Sequence, residues 1–413
     1  MNRTFCSTHP ILSTRAASIL GSGVVTWLVA CTIVARSVAA EGTPPTPVLV
    51  SRIATDGDFV TLPVRLDGQE LLFMVDTGST TTAFDTSFRN RLAPAGEAER
   101  RKVARDEEAS ELYMPPSMTV TGTDSGAIPF PGDCPVVCRD LAEARKVSNS
   151  PIQGVIGMDF LAAYALELNL VDGRICLYAD AGSAKKSWGD VQISMSIPLQ
   201  HPCLEIQSAN VFYWALIDTG ALLSLNLEHE AYAYLLPKRQ ITQLMFRFPV
   251  GDSWKTGATD EGWLREVKVG PFRHRNISIN RDFVSLLGLY YWRRYHCVFD
   301  FPEKTIYLKK SRFFDVCDDT DHAGIYLEPD EGMADARRVS HVAIASAADR
   351  AGVRVDDYLV SVDGRNVGAD SQHSIYRRLS FRHDRPCELV LRRRGSEIRI
   401  TLPASGVGAA VRE

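Results

Sequence analysis

This sequence has no excess of either charge: 46 Lys and Arg stand against 50 Asp and Glu over 413 residues, a formal net charge of −4. So even a balance offers a polyanion no positive field, and no basic tract alternates with aromatics, which removes nucleic acid as a partner. There is no His-Glu-x-x-His pair. His201, His229, His274, His296, His322, His341, His373 and His383 lie scattered without ligand spacing, so a zinc peptidase has no support. No Gly-x-Ser-x-Gly elbow is present, which removes a serine hydrolase of that type. Cysteine is sparse. Beyond the N-terminal segment only Cys134, Cys138, Cys176, Cys203, Cys297, Cys317 and Cys387 occur, an odd set too thin for a disulfide scaffold. Cys134 and Cys138 are spaced to close a small loop, but no second Cys/His pair completes a zinc site. No metal and no cofactor are expected.

What is present is a globular composition, 45% hydrophobic and 23% charged, in a chain long enough for two or three domains. The N-terminus reads as an export segment. Arg3 and Arg15 supply positive charge, Ala16 to Ala35 carries no charge, and Ser37-Val38-Ala39-Ala40 offers small residues for cleavage. Two other readings stay open. One is an uncleaved N-terminal membrane anchor, since the apolar stretch has spanning length. The other is a lipid anchor at Cys31, within Leu28-Val29-Ala30-Cys31. Each places the residues after 45 outside the cytoplasm, in a periplasm by the simplest reading. Residues 1–40 are assigned to this signal peptide or anchor. Glu41 to Thr55 is too short for a propeptide that fills a cleft.

One unit occurs twice. Segments opening on Ile156-Gly157-Met158 and Leu287-Gly288-Leu289 align without a gap. Gly157 meets Gly288, Phe160 meets Tyr291, Tyr164 meets Tyr295, Leu168 meets Phe299 and Ile175 meets Ile306, each 131 positions on. Upstream, Leu72-Phe73-Met74-Val75-Asp76-Thr77-Gly78-Ser79 resembles Trp214-Ala215-Leu216-Ile217-Asp218-Thr219-Gly220-Ala221 at an offset of 142. Fixed anchors with loops of variable length between them mark a duplicated fold. Phe59 to Leu66, an Asp67-Gly68 turn and Glu70 to Val75 predict a hairpin. Met118 to Thr121 and Glu266 to Val269 alternate as strands do. Short helices are expected after each Asp-Thr-Gly and from Asp159 to Tyr164. The predicted fold is mostly β.

An isolated Asp-Thr-Gly is an ordinary turn. Here each copy follows four apolar residues, which places each carboxylate where a buried strand ends. Each is followed, 81 or 70 residues on, by two apolar residues and a glycine: Val155-Ile156-Gly157 and Leu286-Leu287-Gly288. Over about residues 50–310 this combination resembles the aspartic peptidase clan, in its pepsin-like and retropepsin-like branches. The resemblance implies two pseudo-symmetric β-barrel lobes, 41–190 and 191–310, meeting at a cleft with catalytic Asp76 and Asp218 on its floor. Carboxylates about 3 Å apart do not both ionise cheaply, so such a pair holds one proton and activates a water against an amide carbonyl. It further implies that Thr77 and Thr219 hydrogen-bond across the lobe interface, and that Gly78 and Gly220 turn the backbone under the carboxylates. Ser79 is placed to bond the outer oxygen of Asp76, which Ala221 cannot do for Asp218. Gly157 and Gly288 would let a strand cross close behind each active loop. By position in the repeat, flap hairpins fall on Lys102–Tyr113 and Gly251–Gly262.

After Lys310 the pattern changes. Ser311 to His322 is polar and rich in Asp, as a linker is. Ala323-Gly324-Ile325-Tyr326-Leu327, then Ser346 to Val353, then Asp356 to Val367 resemble in succession a bacterial PDZ domain over 323–403, with 404–413 as a tail. That resemblance implies a peptide added as an extra strand at a sheet edge, its carboxylate received at Ala323, Gly324 and Ile325. The combined reading is an exported aspartic endopeptidase acting on peptide or protein substrates, with a PDZ domain for segments of substrates or partners. The alternative is a catalytically silent peptide-binding protein on the same fold, for which Ala221 and the charged segment Arg100 to Glu108 speak.

Overall fold

The computed structural model describes residues 46–55, 58–97, 111–148, 150–180, 188–189, 191–250, 253–315, 318, 323–330, 332–380 and 386–403. The export segment, the Cys31 reading, the first flap candidate up to Ser110, and the tail lie outside the described residues. Among those described, no helix is long and apolar enough to cross a membrane.

Lobe 1 begins with the predicted hairpin. Asp67 and Gly68 take φ of 50° and 75°, the left-handed pair that a two-residue turn between twisted strands requires. Thr61–Leu66 therefore pairs antiparallel with Gln69–Val75, Leu66 opposite Gln69. Ile152–Ile156 runs parallel on the other side of Gln69–Val75, with Ile156 beside Val75. A strand with neighbours on both edges and core on both faces needs no alternation, which is why Leu71 to Val75 is apolar throughout. Lobe 2 repeats the arrangement. Cys203–Ser208 pairs with Val211–Ile217 across a left-handed Ala209-Asn210 turn, and Leu286–Leu287 runs parallel to it with Leu287 beside Ile217.

A short helical segment follows each Asp-Thr-Gly, as expected from the sequence, but not directly. Each loop runs first into a strand, Ala83–Asp85 or Leu225–Glu228. Only then come a 3-10 turn, Thr86–Arg91, and an α-helix, His229–Leu235. In lobe 1 the β-branched Thr80-Thr81-Thr82 favours extended backbone. Asp159 then pins Thr82, accepting its N–H at 2.8 Å and its hydroxyl at 2.7 Å. The helices expected after Asp159 are single turns, Met158–Leu161 and its repeat Leu289–Trp292.

The lobes share a six-stranded sheet. Its order is Leu49–Arg52, Arg174–Tyr178, Ala165–Asn169, Tyr295–Asp300, Thr305–Lys310 and Val191–Ser194. At the seam Ala165–Asn169 lies antiparallel to its own repeat, Leu166 facing Phe299 and Leu168 facing Cys297. One buried core continues from Phe73 and Phe84 in lobe 1 to Trp292 and Phe299 in lobe 2. The C-terminal domain has a separate core around Ile325, Leu359, Ile375 and Leu389. Its strands run in the order Ile325–Pro329, Arg337–Val342, Tyr358–Val362, Cys387–Arg393 and Ser396–Leu402, with helices Ala347–Ala351 and Gln372–Ser380. The fold is mostly β, two lobes followed by this small domain.

Asp318, in the polar segment read as a linker, is buried, with its carboxylate 2.6 Å from Arg294 Nη2. Cys134 and Cys138 are not joined in a disulfide, so the small loop their spacing offered is not closed, since the extended strand Val136–Arg139 carries the second away from the turn that holds the first.

Candidate active site

Each Asp-Thr-Gly leaves its strand under matching constraints. The Asp76 N–H donates to Ile156 O and the Asp218 N–H to Leu287 O, both at 3.0 Å. Behind the loops, Met158 N–H reaches Ser79 O and Leu289 N–H reaches Ala221 O, both at 2.8 Å. That approach explains Gly157 and Gly288. A Cβ on Gly157 would stand 2.9 Å from Ser79 O, and one on Gly288 would stand 2.6 Å from Ala221 O.

The two threonines lock the loops together. Thr77 N–H donates to Thr219 Oγ1 at 3.0 Å, and Thr219 N–H to Thr77 Oγ1 at 3.1 Å. Their hydroxyls then cross into the opposite lobe: Thr77 Oγ1 donates to Ile217 O at 2.6 Å and Thr219 Oγ1 to Val75 O at 2.8 Å. All four donors are buried and satisfied, so the interlobe distance here is fixed by geometry rather than by packing alone.

This lock brings Asp76 and Asp218 together, each carboxyl set against the glycine of the opposite loop and each acting on the titration of the other. Each carboxylate also accepts the N–H of the glycine two residues on, Gly78 or Gly220, at 2.8 Å. Burial pushes both carboxyls above the usual range. Asp218 goes well above it, because the charge of Asp76 adds to burial. For Asp76 the Gly78 N–H, the Asp218 carboxyl and the charge of Arg139 partly offset burial. The pair therefore retains a proton to higher pH than a free carboxyl does, and its titration belongs to both members.

Ser79 is used differently from the sequence expectation. Its hydroxyl donates to Thr81 O at 2.9 Å and accepts from Arg139 Nη1 at 3.2 Å, so it faces away from the outer oxygen of Asp76. Asp159 was also missed as a participant. Half-buried beside the loop and holding Thr82, it has a carboxyl that desolvation pushes up to about 6. Tyr113, at the end of the first flap candidate, packs its ring in the lobe 1 core and donates to Glu111 at 2.8 Å. Of the second candidate, Ser253 to Gly262 lies within one long strand, Ser253–Val269, paired with Ile241–Val250.

Ala323, Gly324 and Ile325 lead into the first strand of the C-terminal domain, with φ of 54° at Ala323 and 77° at Gly324. Ala323 O accepts from Ala348 N–H and Gly324 O from Ala343 N–H. On the open side of that strand, Leu327 is capped from the helix Gln372–Ser380. Its N–H donates to Tyr376 Oη at 2.8 Å and its carbonyl accepts from Gln372 Nε2 at 2.9 Å. Gln372 and Tyr376, four apart, share one helix face. The neighbouring Tyr326 hydroxyl donates to Glu261 of the long lobe 2 strand at 2.8 Å. Among the described residues no group of three His, Cys, Asp or Glu is placed to hold a metal ion.

A family model described as a PDZ domain matches residues 338–393. No curated protein matches the chain. Among solved structures, basic 7S globulin from soybean is similar at 12% identity, covering 66% of this chain and 99% of its own, with a TM-score of 0.42. Conglutin gamma, a basic 7S globulin from lupine seeds, is similar at 13% identity over 65% of this chain and 96% of its own, with a TM-score of 0.39. Likenesses of that size carry no argument about activity.

Proposed function

We propose that the chain is an aspartic endopeptidase in which Asp76 and Asp218 activate one water between them. The observation that carries the reading is the pair of facing carboxyls, clamped by the reciprocal Thr77–Thr219 bonds at the meeting of a duplicated fold. In this chemistry the ionised member takes a proton from water as the water oxygen bonds to the amide carbon. The carbonyl electron pair moves to oxygen, which receives the proton of the other carboxyl. Collapse of the resulting diol breaks the C–N bond as the amine nitrogen takes a proton from the protonated member and one diol hydroxyl returns its proton to the ionised one, so no metal and no covalent enzyme intermediate are needed.

The test uses the full chain and a random peptide library from about pH 3 to about pH 8, spanning the range in which such a pair holds one proton. Cleavage sites are expected with the wild type and none with Asp76→Ala or Asp218→Ala. Cleavage that survives both substitutions sinks the reading. Binding of library peptides without cleavage by the wild type would replace it with a silent peptide-binding protein. By this proposal the working site is outside the cytoplasm, as the charge pattern of residues 1–40 suggests.

The PDZ domain serves, in this reading, to hold peptide segments of substrates or partners at the strand Ile325–Pro329. Leu327 offers that edge a donor and an acceptor, and Tyr376 and Gln372 occupy both. An incoming strand must displace them. Tyr376→Phe keeps the ring and removes the hydroxyl, so affinity for peptides selected from a C-terminal library is expected to rise about fivefold, the weight of one displaced hydrogen bond. Fluorescence polarisation measures it, and unchanged or weaker binding counts against strand addition at this edge.

A further inference from the structure

The duplication extends to an arginine beside each active loop. At the offset of 142, Val137 corresponds to Ile279, Cys138 to Asn280 and Arg139 to Arg281. Strand register agrees: Asp85 faces Arg139 in one lobe, and Leu227 faces Arg281 in the other. The two cations are used differently. Arg281 is 2.7 Å from Asp260 and lies 5.6 Å from the Tyr232 ring centroid, away from its loop. Arg139, half-buried, donates to Ser79 Oγ at 3.2 Å, in the loop that carries Asp76. The residue at the position of Ser79 in lobe 2 is Ala221, which has no oxygen to hold a guanidinium. A pseudo-two-fold that is nearly symmetric through the threonine lock is thus broken by one cation on one side.

We propose that Arg139 is a positioning residue for the carboxyl pair: anchored on Ser79, it holds the negative charge on Asp76 and so leaves the shared proton on Asp218. The inference rests on the peptidase reading and deepens it, since it makes Asp76 the base toward water and Asp218 the donor to the carbonyl oxygen. A fixed charge beside one of two otherwise matched carboxyls in a poorly solvated site is enough to choose between them. The direction of the carboxyl shifts agrees, because the charge of Arg139 acts on Asp76 against burial.

Other ionisable groups surround the pair. Asp159 packs behind the Asp76 loop and is held by Thr82. Asp85, across the strand pair from Arg139, is bonded to Arg145 at 2.7 Å. Cys138 precedes Arg139 in its strand, and its thiol is pushed up by burial. Arg89 and Glu111 form an exposed pair on the neighbouring elements, at 3.7 Å. In lobe 2, burial raises the carboxyl of Glu228, and Asp282 accepts from Asn226 at 3.0 Å. Their titrations are common to wild type and variant, so the informative quantity is the difference that removing Arg139 makes.

The experiment follows the Asp side-chain carboxyl carbons of the full chain by NMR titration, with Asp76→Asn and Asp218→Asn identifying the two signals. In Arg139→Gln the lower apparent pKa of the pair is expected to rise by about one unit, the size typical of losing a nearby opposite charge. Arg139→Lys is expected to restore most of it, and Arg281→Gln to leave it unchanged. Ser79→Ala, which removes only the anchor, is expected to move it part of the way and serves where Arg139→Gln does not fold. The acid limb of kcat/KM against pH is expected to move with the carboxyls. Equal titration of the pair in wild type and the Arg139 and Ser79 variants, or an equal shift with Arg281→Gln, overturns the proposal. Carboxyl shifts as stated in a protein that cleaves nothing would keep the charge bias and reject the peptidase reading; cleavage without the shifts would do the reverse.

Discussion

Gly220→Ala is expected to lower peptide cleavage at least about 10³-fold, a larger loss than the ~10²-fold that a 1 Å misplacement of reacting groups typically brings. The added Cβ would stand 2.5 Å from Asp76 Cγ, and in the mirror variant Gly78→Ala it would stand 2.7 Å from Asp218 Cγ. Real Cβ contacts do not come that close, so the carboxyl of the opposite lobe must move. The loops cannot back away together, because the Thr77 and Thr219 bonds fix their spacing. The pair is driven apart, and with it goes the shared proton on which the chemistry depends. Gly364→Ala is the control: it has nothing within 4 Å but a φ of 74°, so it is expected to cost about 1 kcal/mol of stability and leave kcat/KM alone. Measured kcat/KM on one library-derived peptide decides the matter. A Gly220→Ala protein that cleaves at the wild-type rate would show that the two carboxyls do not act as a unit.

How much of this could be read from sequence follows from the range of each interaction. The hairpin around Asp67-Gly68 was legible because a two-residue turn and alternating flanks are local signals. Gly157 and Gly288 were legible because the repeat aligned them, although neither reveals alone what it passes behind. The contact of Arg139 with Ser79 was not, since 60 residues separate the partners. Yet a signal existed in the offset of 142 that joins Arg139 to Arg281, beyond the aligned segments. The burial of Asp318 was not legible for a related reason. A run rich in Asp looks solvated, and only the fold shows that one of those carboxylates meets a buried arginine contributed by another segment. The cap on Leu327 depends on a helix that follows 45 residues later. Polar pairings between distant segments leave no periodicity, whereas the apolar framework that carries them does.

Asp318→Ala is expected to destabilise lobe 2 by about 3–5 kcal/mol, the usual consequence of leaving one half of a buried ion pair without its partner. Asp318 and Arg294 are 3% and 2% exposed, and Asp318 also accepts the N–H of Ser278 at 3.0 Å, so its loss leaves a buried cation and a buried donor together. His274 lies in the same cluster, within 2.6 Å of the Tyr295 hydroxyl. Burial and the charge of Arg294 lower its pKa from 6.5 to about 4, while Asp318 opposes them. A histidine whose folded pKa lies below its unfolded value contributes stability above pH 6.5 and loses it as pH falls through 6.5 toward 4. Without Asp318 the folded value of His274 drops further. Urea unfolding of the full chain near neutrality and again in acid measures both effects. The double change Arg294→Met with Asp318→Leu removes both charges and is expected to recover most of the loss, because an apolar pair incurs no desolvation cost. A single variant within about 0.5 kcal/mol of wild type would mean that Asp318 is solvated rather than paired in the core.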